Sequence, residues 1–168
     1  MVYLIGYMGV GKSTLAKLLA KLLKLPYLDT DHEIEGNEKR SISEIFKKDG
    51  ESHFRMLETE LLIQLSARAI IACGGGIALH NNNMELINSK GVSIYLKASA
   101  NFLSNRLKDE KQNRPLIVNI PEKEIESYIK KELQNRSPFY ALSHHTILVD
   151  GKNEDEVLRE IHALISSF

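Results

Sequence analysis

Short apolar runs alternate along this chain with longer stretches in which apolar residues recur every three or four positions. Val2 to Ile5, Pro26 to Leu28, Ala69 to Cys73, Val92 to Leu96 and Thr146 to Val149 are each brief and followed by glycine, aspartate or a polar turn, and they predict strands. Between them Leu15, Leu18, Leu19, Leu22 and Leu23 form one helical stripe, and Leu57, Leu61, Leu62 and Leu65 form another. Val157, Leu158, Ile161, Leu164 and Ile165 repeat the pattern near the C-terminus. Strands alternating with helices predict an α/β fold built on a parallel, doubly wound sheet. No internal repeat or low-complexity tract interrupts it. The most polar stretch, Lys108 to Arg114, is followed by Pro115 and Pro121 and predicts a mobile loop.

A length of 168 residues fits one domain, and an apolar share of 43% is enough to fill its core. Cys73 is the sole cysteine, so no intramolecular disulfide can form, which fits a reducing compartment. Lys+Arg and Asp+Glu both total 22, so bulk charge does not draw the chain to nucleic acid. The first residues run directly into a motif, without a basic leader, and no apolar run approaches the ~18 residues of a membrane span. The expected location is the cytoplasm.

That motif is Gly6-Tyr-Met-Gly9-Val10-Gly11-Lys12-Ser13, which satisfies G-x-x-x-x-G-K-S/T between a predicted strand and a predicted helix. Glycines let backbone N–H groups crowd around phosphate oxygens, and the helix N-terminus adds partial positive charge. Lys12 can place a cation on the β- and γ-phosphates and Ser13 a hydroxyl on Mg²⁺. A P-loop specifies a nucleoside triphosphate and leaves the reaction open.

Four further pieces narrow the reaction. Asp29-Thr30-Asp31 follows the second strand, at the sheet edge where such folds bind ligands. One carboxylate can face a metal and the other an acceptor hydroxyl, although Asp31 or Thr30 could equally cap a helix starting at His32. Arg55 and Glu58 are helical neighbours, which taken alone reads as an ordinary surface pair. Gly74-Gly75-Gly76 after the third strand leaves backbone open to an anion or a sugar-like ring. Arg136 precedes Tyr140 by four residues in a long helical segment.

Together the P-loop, Asp29/Asp31, Phe54-Arg55-Met-Leu-Glu58, Gly74 to Gly76, Arg114-Pro115 and Arg136 to Tyr140 resemble, in order and over nearly the whole chain, the motifs of the shikimate kinase family. The resemblance implies a three-layer α/β/α sandwich with a five-stranded parallel sheet, order 2-3-1-4-5, and a lid over about residues 108–121. It implies an acid-binding region over about residues 31–62. It also implies transfer of the γ-phosphoryl of ATP to shikimate, giving shikimate 3-phosphate for aromatic amino acid biosynthesis. By the same resemblance Gly9, Val10, Gly11, Lys12, Ser13 and Thr14 would hold the nucleotide, with Arg106 stacked on adenine. Ser13 and Asp29 would serve Mg²⁺. Asp31 would hold shikimate hydroxyls and act as base, beside Lys12 and Arg114 as the other catalytic residues. Arg55 and Arg136 would clamp the carboxylate, Glu58 orienting Arg55. Gly74, Gly75 and Gly76 would line the pocket, with Phe46 and Phe54 as its apolar wall. The second adenine contact falls within Gly151 to Glu154 and stays unassigned.

The physics of the residues agrees. Two arginines offer planar forks to a carboxylate, and a lid would keep water from the transferring phosphoryl. The alternatives are another small P-loop kinase, such as a gluconate kinase, and a nucleotide-binding module without catalysis. Neither a nucleic acid nor a membrane is an expected partner, and a monomer is the expected state. His144 and His145 read as structural, and Cys73 as a packed small hydrophobe.

Overall fold

The structure is a computed structural model and describes residues 1–110 and 117–166. Strands β1 (Val2–Ile5), β2 (Tyr27–Asp29), β3 (Ile70–Ala72), β4 (Val92–Lys97) and β5 (His145–Leu148) form one parallel sheet in the order 2-3-1-4-5. Two predicted strands move by one residue: β2 takes in Asp29, and β5 starts at His145. Helices α1 (Lys12–Leu23), α2 (Thr30–Glu38), α3 (Ile42–Asp49), α4 (Glu51–Gln64), α5 (Asn83–Lys90), α6 (Ala100–Glu110), α7 (Ile125–Tyr140) and α8 (Glu154–Ile165) complete the alternation. The three central strands, β1, β3 and β4, bury Leu4, Ile70, Ile71, Ile94 and Leu96 completely. Helices cover both faces of a parallel sheet, so its central strands are mostly apolar, whereas the edge strand β5 carries His145 and Thr146. The register sets Leu4 opposite Ala72 and Ile94, and Asp29 opposite Ala72, which aligns the carboxyl ends of β1, β2 and β3.

The α1 stripe is rotated from its prediction. Leu15, Ala16, Leu19 and Ala20 are buried, whereas Leu22 is 54% exposed. The two alanines belong to the apolar face and shift its centre away from Leu18 and Leu22. In α4 the buried set is Phe54, Glu58, Leu61 and Leu62, so a carboxylate sits in the middle of the apolar face. Of the segment expected as a loop, 108–121, residues 111–116 lie outside the described residues, α6 continues to Glu110, and Ile117 is fully buried in the main core.

Ile34, Ile45, Phe54 and Leu61 form a second, smaller core beneath α2, α3 and α4, the region expected to hold the acid. Capping boxes at Ser41/Glu44 and Asn153/Glu156 start α3 and α8. Among the described residues, no helix is long and apolar enough to cross a membrane.

Candidate active site

The site lies along the carboxyl ends of β1, β2 and β3. Gly11 precedes α1 with φ 100, a conformation that favours glycine, and no side chain caps that helix start. The first N–H groups of α1 are therefore presented to whatever fills the P-loop. Lys12 reaches back over the loop and donates to the carbonyls of Gly6 (2.8 Å) and Tyr7 (2.9 Å). Ser13 donates to Asp29 Oδ2 at 2.8 Å, so the two residues expected at the metal are already in contact. A hydroxyl and a carboxylate are the hard oxygen donors that Mg²⁺ takes, in a site that phosphate and water oxygens would complete. No larger group of metal-binding side chains occurs among the described residues.

The cap of α2 is Asp29, not Asp31 or Thr30: its Oδ1 accepts from Asp31 N at 3.1 Å and His32 N at 3.5 Å. Because β2 runs through Asp29, that residue meets the helix start and leaves the Asp31 side chain for the site. Burial pushes the Asp29 carboxyl up, but hydrogen bonds from Ser13 and His32 outweigh it and hold it below the usual range. The Asp31 carboxyl is held above its usual range by burial and by the Asp29 charge, with Lys12 and Arg55 opposing. A carboxylate so placed is the better proton acceptor for a hydroxyl.

Thr30 anchors the glycine turn by accepting from Gly74 N at 2.8 Å. Two of its three glycines leave no room for a side chain. A Cβ on Gly74 would collide with Asp31 Oδ1, and one on Gly76 would stand 2.5 Å from Arg55 Nη1. Arg55 donates through Nη1 to Glu58 Oε2 at 2.8 Å, above the rings of Phe46 (5.8 Å) and Phe54 (5.4 Å). The surface-pair reading of Arg55 and Glu58 is thus overturned: Glu58 is 1% exposed, because the helix turns it into the second core. Burial pushes its carboxyl up to about 7 despite the adjacent guanidinium. From the opposite side α7 brings Arg136, which lies over the Tyr7 ring at 5.2 Å and donates to Gly75 O at 3.4 Å. Tyr140, one turn on, donates to the same carbonyl at 2.6 Å.

The family model of shikimate kinase matches residues 8–166. The shikimate kinase of Flavobacterium johnsoniae is 44% identical over 164 residues, 95% of either chain. The solved shikimate kinase of Bacteroides thetaiotaomicron superposes with a TM-score of 0.90 at 30% identity, covering 98% of this chain and 97% of that one. That of Acinetobacter baumannii, solved in complex with shikimate, gives a TM-score of 0.87 at 34% identity over 99% of this chain and 92% of its own. The chain belongs to the shikimate kinase family.

In this member of the family, Arg106 is exposed on α6, over the Phe102 ring at 5.6 Å. Val10, Phe102, Arg106, Lys152 and Asn153 line a shallow groove beside the P-loop. The groove joins Arg106 to the segment in which the second adenine contact was left unassigned. Thr14 is exposed in the first turn of α1. Arg114 lies outside the described residues. His144 holds two strands together, its Nδ1 accepting from Ser93 N at 3.2 Å and its own N–H donating to Ser93 Oγ at 2.9 Å. Cys73 is buried, which pushes its thiol well up and leaves it unreactive.

Sequence reasoning gave no role to Tyr7, Tyr27, Glu51 and Glu132, and offered Thr30 only as a helix cap. Tyr27 donates to Asp29 Oδ2 at 3.2 Å. The two glutamates carried a readable signal, since each stands four residues before a clamp arginine on one helix.

Proposed function

We propose that this chain transfers the γ-phosphoryl of ATP to a hydroxyl of shikimate, releasing ADP and shikimate 3-phosphate. One observation carries the reading: Arg55 from α4 and Arg136 from α7 converge on Gly76 and Gly75, beside Asp31 and the P-loop. Two guanidinium groups suit the carboxylate of the acceptor acid, and a carboxylate with a raised proton affinity suits its hydroxyl. Positioning and charge stabilisation are the bulk of phosphoryl-transfer catalysis, and those are what this arrangement supplies.

In this reading Lys12 stabilises charge on the β- and γ-phosphates. Asp31 orients the hydroxyl and takes its proton. Glu58 holds Arg55. The glycine turn, with Phe46 and Phe54, shapes the acid pocket. Gly9 through Thr14 cradle the phosphates, and adenine lies in the groove between Arg106 and Asn153. Arg114 meets the transferring phosphoryl. Mg²⁺ is held by Ser13 and Asp29, and when bound it neutralises phosphate charge. We also read the chain as one domain, a cytoplasmic monomer that engages neither nucleic acid nor membrane. Its formal net charge of zero supports the first exclusion, and gel filtration tests the monomer.

The test is a coupled ADP-release assay with shikimate added and omitted. ADP release that requires shikimate is the expected result. Release that ignores it, or that gluconate supports better, overturns the reading.

A further inference from the structure

The inference here rests on reading Arg55 and Arg136 as the acid clamp. Both arginines are engaged on the same edge. Arg55 donates through Nε (3.1 Å) and Nη2 (2.8 Å) to Glu51 Oε1, and Arg136 donates through Nε (2.9 Å) and Nη2 (2.5 Å) to Glu132 Oε2. In each case a glutamate four residues earlier on the helix delivers a carboxylate to the Nε–Nη2 edge. That edge is one of the forks on which a guanidinium grips an incoming carboxylate with two hydrogen bonds.

The two pairs are not equivalent. Deprived of Glu51, Arg55 would still hold the buried Glu58 at 2.8 Å and lie against Phe46 and Phe54. Glu51 is itself 59% exposed at the start of α4, where a long side chain swings into water freely. Glu132 is only 23% exposed. Deprived of it, Arg136 would have the Tyr7 face at 5.2 Å and the 3.4 Å bond to Gly75 O among its contacts here, a weaker hold.

We propose that Glu51 is a placeholder carboxylate. It fills the fork of Arg55 in the empty enzyme, yields it to the carboxylate of the substrate, and thereby sets the affinity for the acid. Glu132, by contrast, is a positioning residue that stays on Arg136 throughout. The exchange keeps the guanidinium paired at every stage, so neither state leaves a half-buried cation without a partner. Its cost is affinity: the acid must displace a resident anion and approach its charge.

The two glutamates therefore predict opposite signs. Glu51→Gln keeps the shape and removes the charge. It should lower the KM for shikimate about two- to fivefold, the scale of one partly exposed ion pair, with smaller changes in kcat and in the KM for ATP. Glu132→Gln should raise the KM for shikimate. The carboxamide of shikimate, which brings no carboxylate, should show no gain with Glu51→Gln. An unchanged or raised KM for shikimate in Glu51→Gln overturns the proposal, as does an equal gain for the carboxamide. Glu51→Ala, on an exposed first turn, must give the same direction. Wild-type protein that turns over no shikimate fails before any variant is compared, and it overturns the functional reading as well.

Discussion

Glu58 is sealed in the interior with one oxygen 2.8 Å from Nη1 of Arg55, so the clamp arginine stands on a carboxylate that water does not reach. Burial raises the Glu58 carboxyl from 4.5 to about 7. A raised folded value means that the folded chain binds a proton the unfolded chain has released. The associated stability is complete below pH 4.5 and is lost as pH climbs through about 7. The stability of wild type relative to Glu58→Gln should therefore fall over that window, by roughly 3 kcal/mol at most. Urea titrations of both proteins at several pH values measure it, and a flat difference counts against this placement of Glu58.

The glycine turn separates two effects that a single loss-of-function variant would merge. Gly76→Ala thrusts a methyl at the flexible end of Arg55, which moves aside. The fold should persist, the KM for shikimate should rise about tenfold, the scale of one charge-assisted hydrogen bond, and the KM for ATP should stay put. Gly74→Ala meets the short Asp31 side chain at the start of α2, which has less freedom. Its loss should fall mainly on kcat, with a lower Tm. Steady-state kinetics with each substrate varied in turn distinguishes them, and identical profiles would contradict the assignment.

Lys12 donates to the backbone carbonyls of Gly6 and Tyr7, and it occupies the first turn of α1. Lys12→Ala should fold, judged by circular dichroism, and lose about 10²–10³-fold in kcat, the usual scale for removing one preorganised charge from a developing anion. Near-normal turnover would remove Lys12 from the phosphate site.

Arg55→Lys keeps a cation but loses the planar fork that spans Glu51 and Glu58. Transition-state stabilisation should drop by roughly 2 kcal/mol, read from kcat/KM for shikimate. Nucleotide affinity without the acid should hardly change. A collapse of ATP binding with an intact response to shikimate would move Arg55 to the nucleotide site.

Much of this was legible from residue order because the sheet is parallel and covered on both faces, which makes the central strands mostly apolar words ending at a polar turn. The P-loop was legible for the same reason: its glycines lie between a strand and a helix. Periodicity misled where it counted leucines alone. It placed Leu22 in the core and overlooked Ala16 and Ala20, and it left Glu58 on the surface although Phe54, Leu61 and Leu62 surround it on the wheel. Nothing local marks a charged residue as buried when its partner is also charged. The capping of α2 by Asp29 turned on a strand that ends one residue later than the apolar run suggested. Arg114, central to the proposed chemistry, falls outside the described residues.

Asp29 has a consequence for the order of events. Its carboxylate receives Ser13 from the nucleotide side and caps the helix that carries Asp31, while Thr30 next to it holds the glycine turn. Force applied to that one carboxylate reaches both halves of the site. Binding events that meet at a common group are thermodynamically linked, and linkage has no preferred direction. By whatever factor nucleotide strengthens or weakens the grip on the acid, the acid must change the grip on nucleotide by the same factor.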